Sequence, residues 1–220
     1  LNIWRAPTDN DMYIKQEWKK AHYDAAYTRA YRIEVLQNKH GVLIMEHVAV
    51  VADTVQKILD VKMTWKINEH GKIEAVIEAI KDKEFPDLPR FGIRMFLNKK
   101  MDEITYFGMG PQESYRDKHQ ASCHGLFRSK VAQMHEDYIR PQENGSHYDC
   151  DYVELTNGQC GIAAVSKNPF SFNASVYTQE ELERVSHNYE LKESDSIVFC
   201  MDYAMNGIGS NSCGPDVLDK

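Results

Sequence analysis

Hydrophobic and polar residues alternate along much of the chain, a period of two that is typical of half-buried β-strands. The clearest alternation runs over residues 59–67 and resumes over 73–79, with an Asn-Glu-His-Gly turn at 68–71 between them. Because a turn of this composition joins two alternating segments, we predict a β-hairpin there. Other alternating or continuous apolar segments predict further strands, at residues 31–35, 42–51, 91–97, 152–155, 161–165, 170–176 and 197–203.

Two segments have the signals of short helices. Residues 14–24 place apolar side chains on one helical face. A capping-box sequence, Thr178 followed three residues later by Glu181, predicts a second helix that runs to about residue 187. Many strands with few helices favour an antiparallel β fold. We therefore predict a mainly β protein, a large antiparallel β-sandwich with one or two short helices, as a single domain over residues 1–220.

Residues 106–150 interrupt the alternation with a long polar and aromatic segment. The segment contains two turns of similar sequence, GPQESY at 110–115 and RPQENG at 140–145. Long connections of this kind are usually functional or disordered, and the Tyr, Phe and Ile content argues against disorder. Gly and Pro fix the backbone, while Arg, Tyr, Glu and Asn supply hydrogen bonds and flat faces compatible with a sugar. The candidate site residues of these turns are Glu113, Tyr115, Arg140, Glu143 and Asn144.

Composition narrows the classes of function. The net charge of −7 and the lack of a Lys/Arg run disfavour a nucleic-acid partner. No apolar run is long enough to cross a bilayer, so we expect no membrane partner. Five scattered cysteines without a C-x-x-C pair are typical of a reduced, cytoplasmic protein with buried thiols. The chain starts at Leu1 without a leader, which we interpret as a piece of a longer polypeptide or a trimmed one.

Several motifs occur in one order along nearly the whole chain, namely WRAPTDND at 4–11, YFGMGPQESYRDK at 106–118, YIRPQENG at 138–145, FSFNAS at 170–175 and GIGSNS at 207–212. Together they resemble the C-terminal β-sandwich, or small-chain region, of glycoside hydrolase family 2 β-galactosidases. The resemblance implies a supersandwich of the galactose-mutarotase type that supports a catalytic barrel domain or large subunit, in a homo- or hetero-oligomer. It also implies hydrolysis of terminal β-D-galactosides such as lactose with retention.

The resemblance implies a non-catalytic role at the substrate rim. In the family, the segment matching residues 207–215 reaches the active-site mouth, where an aromatic residue stacks on the non-galactose part of the substrate. Cys213 stands at that aromatic position, and a thiol has no broad face for such stacking. The rim candidates are Gly207, Gly209, Asn211, Ser212 and Cys213. The whole enzyme is expected to use magnesium and a monovalent cation, but we identify no ligands for them in this chain.

Glu113 and Glu143 are the carboxylates that could carry chemistry. A retaining glycosidase needs two carboxyl groups roughly 5–5.5 Å apart. The alternative is that each Glu accepts hydrogen bonds from its own turn or from a nearby Arg, such as Arg116 or Arg140. The resemblance favours this alternative, since the family's catalytic carboxylates belong to the barrel. We therefore expect the isolated chain to be inactive.

Two other functions stay open from the sequence. The chain could be a stand-alone carbohydrate-binding module that holds a sugar near residues 140–145 or 207–213. It could also be an aldose mutarotase-like enzyme, which needs a His acid and a Glu base on one concave site. His119, His124 and the pair His147 and Asp149 have no recognised metal-ligand spacing, so we expect no metal in this chain.

Overall fold

In the computed structural model, the described residues are 1–209, and the chain divides into two compact units. Of the described residues, the larger unit contains 1–16 and 88–209, and the smaller unit contains 17–87. Each unit contains one antiparallel sheet. The predicted fold class is confirmed, because the protein is mainly β with few short helices, and it is compatible with a β-sandwich. The single domain over residues 1–220 stays a prediction.

The smaller unit is a four-stranded meander in which each strand pairs with the next one in sequence. The predicted hairpin is correct: the Asn68 carboxamide oxygen accepts the backbone N–H groups of His70 (3.0 Å) and Lys72 (2.9 Å), which closes the turn. Gly71 adopts φ +79°, a left-handed conformation that suits glycine. The strands in chain order are β1 Tyr27–Asn38, β2 Gly41–Val51, β3 Lys57–Asn68 and β4 Ile73–Lys81.

Two expectations for residues 14–51 need correction. The predicted helix over residues 14–24 is shorter, because α1 is Ile14–Lys20 and a separate 3-10 turn, Tyr23–Ala25, follows it. His22, between them, has φ +57°, which is incompatible with continuing a right-handed helix. The apolar run at 42–51 is continuous, a pattern typical of a strand that is covered on both faces, but only the last four residues of β2, 48–51, are buried.

The larger unit is built on a six-stranded antiparallel sheet. Its core contains Ile104, Tyr106, Val153, Leu155 and Phe199. Their period-two spacing along neighbouring strands puts these side chains on one face of the sheet. The strands, in spatial order, are β5 Arg90–Asn98, β10 Ser196–Met205, β9 Gly161–Ser175, β8 Ser146–Thr156, β6 Glu103–Gly110 and β7 Cys123–Lys130.

The polar segment 106–150 is not one long connection. It contains the end of β6, all of β7 and the start of β8. β7 lies at the edge of the sheet and none of its residues is buried, so its hydrophobic alternation is too weak to be recognised. In addition, the two strands predicted at 161–165 and 170–176 are one continuous strand, β9, that pairs with both β8 and β10.

The second helix, α2, is Gln179–Arg184. It begins as predicted, since the Thr178 hydroxyl accepts the backbone N–H of Glu181 at 3.1 Å. It ends before residue 187, and the Glu181 carboxylate binds Arg184 at 2.8 Å. Among the described residues, no helix is long and apolar enough to span a membrane. Of the cysteines in that range, Cys150 and Cys200 are buried free thiols, and Cys123 and Cys160 are exposed.

Candidate functional site

The two Pro-Gln-Glu turns, separated by about thirty residues in the sequence, lie side by side in the larger unit. The backbone N–H of Ser114 donates to the carbonyl oxygen of Ser146 at 2.7 Å. The backbone N–H of Gly145 donates to the Glu113 carboxylate at 2.8 Å. The structure therefore brings the two candidate turns into direct contact, which their similar sequences alone do not establish.

Glu113 is a buried carboxylate, 8% exposed, whose two oxygens are occupied by neighbours. Oε1 accepts from the Lys118 ammonium group at 2.5 Å and from the Tyr138 hydroxyl. Oε2 accepts from the Gly145 amide at 2.8 Å and from the Tyr115 hydroxyl at 3.5 Å. Its cationic partner is thus a lysine rather than one of the arginines considered from the sequence. This carboxylate fastens the two turns together.

Glu143 belongs to a buried ionic cluster with Arg90 and Asp202. The Arg90 Nη2 atom lies 3.0 Å from the Asp202 carboxylate and 3.5 Å from the Glu143 carboxylate. Burial raises the pKa of both carboxyl groups, and the charge of Arg90 opposes that rise. Burial disfavours the charge of Arg90 as well, but Asp202 and Glu143 hold its pKa above the ordinary value. The three charges depend on one another because none can reach water.

A second buried ion pair joins the N-terminal motif to the glycine-rich segment near residue 207. Arg5 Nη2 lies 3.1 Å from the Asp11 carboxylate and donates to the carbonyl oxygen of Gly207 at 3.0 Å. Asp11 also accepts the backbone N–H of Thr8 at 2.7 Å. Asp11 therefore bonds to the backbone of its own segment, where the 3-10 turn Asp9–Met12 begins.

Asp117 holds the segment at Gly207 through two backbone amides. Its Oδ1 accepts from the N–H of Ile208 at 3.1 Å, and its Oδ2 accepts from the N–H of Gly209 at 2.8 Å. The Asn10 side chain donates to the carbonyl oxygen of Ile208 at 3.1 Å. A Cβ added at Gly207 would lie 2.3 Å from the Asp117 carboxylate, so only glycine allows this approach. We call the group of three side chains, Asp117, Arg5 and Asn10, the loop anchor.

The remaining candidate residues have diverse environments. Tyr115 is only 2% exposed, so its ring has no face for a ligand, and burial raises its pKa. Asn144 is buried, and its side chain bridges the backbone of Glu136 (3.0 Å) and Gln142 (2.9 Å). The Arg140 side chain is 66% exposed. Of the rim candidates, Gly207 and Gly209 are held by side chains of the loop anchor. Asn211, Ser212 and Cys213 lie outside the described residues.

Sequence reasoning missed the side chains that organise this region. Asp117 and Lys118 are the last two residues of the motif YFGMGPQESYRDK, and Arg5 belongs to the motif WRAPTDND. Their positions in these motifs could have marked them as candidates. Arg90 and Asp202 lie on separate strands outside every motif. Nothing in the local pattern around them signals a buried ion pair.

The histidines considered as metal ligands bind backbone instead. His119 Nδ1, His124 Nε2 and His147 Nδ1 each lie 3.0 Å from a backbone carbonyl oxygen, to which a ring N–H donates. Within residues 1–209, no group of three or more His, Cys, Asp and Glu side chains could hold a metal ion. The absence of a metal from this chain stays a prediction.

His147 should make the stability of the protein depend on pH. Its ring packs between Tyr106 (4.5 Å between centroids) and Phe172 (5.3 Å). Burial lowers its pKa from 6.5 to about 4, although its bond to the Met109 carbonyl and the charge of Glu113 oppose that change. Below pH 6.5 the unfolded chain therefore binds a proton at His147 that the folded chain does not bind. The contribution of neutral His147 to the free energy of unfolding is fully present above pH 6.5 and is lost as the pH falls toward 4.

We expect this single group to remove about 3 kcal/mol of unfolding free energy over that interval. Urea unfolding at a series of pH values measures it, and His147→Asn should flatten the profile because the amide cannot titrate. The matched control is His70→Asn, since the His70 side chain is 81% exposed. Parallel pH profiles for the wild type and His147→Asn would contradict the prediction.

Comparison with known proteins gives the class to which the chain belongs. Residues 1–220 match the family described as "Beta galactosidase small chain", and the chain belongs to that family. The β-galactosidase of Actinobacillus pleuropneumoniae is 48% identical over 220 residues, which are 100% of this chain and 22% of that protein.

Further relatives extend the similarity. The β-galactosidase of Staphylococcus xylosus is 38% identical over 98% of this chain and 22% of its own length. The β-galactosidase of Kluyveromyces lactis is 28% identical over 100% of this chain and 22% of its own length. The chain thus spans about a fifth of the length of the curated relatives it matches. The motif resemblance to β-galactosidases is confirmed by this family membership.

Proposed function

We propose that this chain is a non-catalytic β-sandwich part of a β-galactosidase, which lines the rim of the active site and supports the catalytic barrel. The observation that carries the proposal is the state of the two candidate carboxylates. Glu113 is occupied by Lys118, Tyr138 and a backbone amide, and Glu143 is buried against Arg90. Neither is arranged as an accessible proton donor or nucleophile, which hydrolysis with retention requires.

The proposed whole enzyme hydrolyses terminal β-D-galactosides such as lactose with retention, and its partner for this chain is a barrel domain or large subunit. Magnesium and a monovalent cation would be held by that partner. Assembly into a homo- or hetero-oligomer and location in the cytoplasm belong to the same proposal. The relatives support it because the matched β-galactosidases are several times longer than this chain.

The loop anchor is the part of this chain that we assign to substrate positioning. Asp117 and Arg5 together hold the backbone from Gly207 to Gly209. Asp117 accepts hydrogen bonds from two backbone amides, and Arg5 donates one to a backbone carbonyl oxygen. A loop that leaves this point starts from a defined backbone position. Fixed placement of contacts around a substrate lowers the entropic cost of reaching the transition state.

The proposal predicts that hydrolysis needs a second chain. The purified chain should give no turnover of o-nitrophenyl β-D-galactoside, because it lacks the barrel carboxylates. Mixing it with the barrel-bearing remainder of the Actinobacillus pleuropneumoniae relative should produce turnover that neither component gives alone. The 48% identity makes that remainder the appropriate partner.

Two controls make this measurement decisive. The Glu113→Gln chain, which keeps the size of the side chain but not its charge, tests whether Glu113 acts in chemistry or in structure. Turnover by the unmixed wild-type chain that Glu113→Gln or Glu143→Gln abolishes would overturn the proposal. Polarimetry on fresh α-galactose tests the mutarotase alternative, which predicts acceleration by the unmixed chain.

A further inference from the structure

A cleft of about 240 Å³ lies in the larger unit, beside the adjacent strands β8, β9 and β10. We call it the aromatic cleft. Phe170 and Ser171, on the central strand β9, are both 8% exposed and line it. Tyr148 and Asp149 on β8 and Tyr203 on β10 line it from the two neighbouring strands. The sequence analysis considered Asp149 only as a metal ligand with His147, and Phe170 and Ser171 only as part of the FSFNAS motif.

Two irregularities of the sheet shape this cleft. The register of β8 against β9 shifts between His147 and Cys150, which takes Asp149 out of the regular ladder. The register of β10 against β5 shifts between Asp202 and Ala204, which does the same for Tyr203. Bulges of this kind redirect side chains and are over-represented beside active sites.

Asp149 carries backbone strain in addition. Its φ is +54°, a left-handed conformation that is uncommon for any residue other than glycine. Strain of this kind persists where the surrounding structure enforces it, and it clusters at functional sites. Two bulges and one strained residue therefore meet around a single cleft.

The cleft combines the exposed ring of Tyr203 with polar side chains that make no hydrogen bond to any other described residue. The Tyr203 side chain belongs to a residue that is 75% exposed, although tyrosine usually covers apolar surface. In the part of the chain that the structure describes, no hydrogen bond engages the side chains of Asp149, Ser171, Tyr203 or Asn206. A carboxylate accepts hydrogen bonds, whereas carboxamide and hydroxyl groups both donate and accept them. The cleft can therefore bind a ligand that has many hydroxyl groups.

Size and charge restrict the ligand further. At ~30 Å³ for each molecule, the cleft holds roughly eight waters, and it is smaller than the ~300 Å³ at which drug-sized sites begin. It therefore suits one ring rather than a chain of rings. The Asp149 carboxylate and the Arg116 guanidinium group both line the cleft, so charges of opposite sign offset each other there and the cleft favours a neutral ligand.

We propose that the aromatic cleft binds one neutral pyranose unit. An apolar C–H face of the sugar packs on the ring of Tyr203, and neighbouring hydroxyl groups bind the Asp149 carboxylate and the Asn206 carboxamide. From the sequence, a sugar was expected near residues 140–145 or 207–213; the cleft adjoins the second of these segments at Asn206 and is lined by other residues. This inference goes beyond the proposed function, because it concerns binding by this chain alone and does not need catalysis.

Chemical-shift titration of the isotopically labelled chain tests the inference. The probes are methyl β-D-galactopyranoside and methyl β-D-glucopyranoside, with adenosine as a flat ring of different chemistry. We expect at least one glycoside to shift the amide signals of Asp149, Ser171 and Tyr203 with a dissociation constant in the millimolar range. Adenosine should leave these signals unchanged.

Two variants and a control assign the binding to the cleft. Tyr203→Ala and Asp149→Asn should each weaken binding by about tenfold or more, which corresponds to ~1.4 kcal/mol. Tyr203 is exposed and Asn tolerates the left-handed conformation, so both variants should fold. Tyr189→Ala, at a residue 80% exposed and outside the cleft, should bind as the wild type does.

Several results would overturn the inference. These are the absence of shifts with both glycosides, shifts confined to residues outside the cleft, equal affinity in Tyr203→Ala and the wild type, and binding of adenosine in place of the glycosides. Because the wild-type titration alone can give the first two results, the test does not depend on the folding of any variant.

Discussion

Replacement of Arg90 by methionine should lower the free energy of unfolding of this chain by about 3–5 kcal/mol. Arg90 is 2% exposed, and the carboxylates it pairs with, Asp202 and Glu143, are 0% and 4% exposed. Without the guanidinium group, two carboxylates would remain buried next to each other with no cation between them. Methionine fills similar space, so the loss would come from the uncompensated charge rather than from a cavity.

Urea unfolding at neutral pH measures this loss, and acidification should reduce it. Protonated carboxyl groups need no cation, so the difference between Arg90→Met and the wild type should be smaller near pH 4, about the ordinary pKa of these groups. The double variant with Asp202→Asn should recover part of the stability, as expected for residues that are directly coupled. A difference that is independent of pH would contradict an electrostatic cause.

The same strand provides a matched control. Arg94 also lies on β5 and pairs with Glu180 at 2.6 Å, but the Glu180 side chain is 57% exposed. Exposed ion pairs contribute little, so Arg94→Met should cost about 0–1 kcal/mol. If Arg90→Met and Arg94→Met destabilised the chain equally, the buried cluster would not have the importance assigned to it.

The second large effect is expected on hydrolysis after assembly with a barrel-bearing partner. Asp117→Ala should lower kcat/KM by about 100-fold, since small displacements of groups around a substrate can cost that much. The amides of Ile208 and Gly209 would lose their acceptor, and the loop anchor would hold through Arg5 and Asn10 alone. This expectation depends on the proposed function.

A positioning role can be separated from a general loss of structure. In the unmixed chain, Asp117→Ala should speed hydrogen exchange at Ile208 and Gly209 while the unfolding midpoint changes little. Asp195→Ala is the control, because Asp195 is exposed and lies in the same unit. Full activity of Asp117→Ala in an assembled enzyme would refute the positioning role, whereas failure of all assembled chains would count against the proposed function instead.

The sequence predicted the elements far better than the contacts between them. The hairpin of β3 and β4 was recognisable because apolar residues alternate on both sides of the Asn-Glu-His-Gly turn, and successive residues of a strand face opposite sides of the sheet. β7 was not recognisable, since its residues are exposed or half-buried at a sheet edge. A period of two also carries no information about register shifts, so the bulges at Asp149 and Tyr203 could not be anticipated.

The candidate site shows the same difference between local patterns, which the sequence contains, and contacts between distant residues, which it does not. Glu113 and Glu143, the two carboxylates that the motifs contain, are both buried, and their partners come from other strands and turns. Gly145 binds Glu113 from 32 positions away, and Asp202 binds Arg90 from 112 positions away. Local sequence patterns cannot supply such pairings, which depend on the order of strands in the sheet. The motifs therefore indicated where to look, and the topology determined what the residues do.

The bond from Arg5 to the carbonyl of Gly207 connects positions 202 residues apart. During synthesis on a ribosome, at ~5–20 residues per second, Arg5 would wait roughly 10–40 s for that partner to emerge. Of the two partners of Arg5 described above, only Asp11 is present on the nascent chain until then. Translation past β10, the last of the strands that the structure describes, to Gly207 is therefore the step that first allows the N-terminal motif to reach its final place.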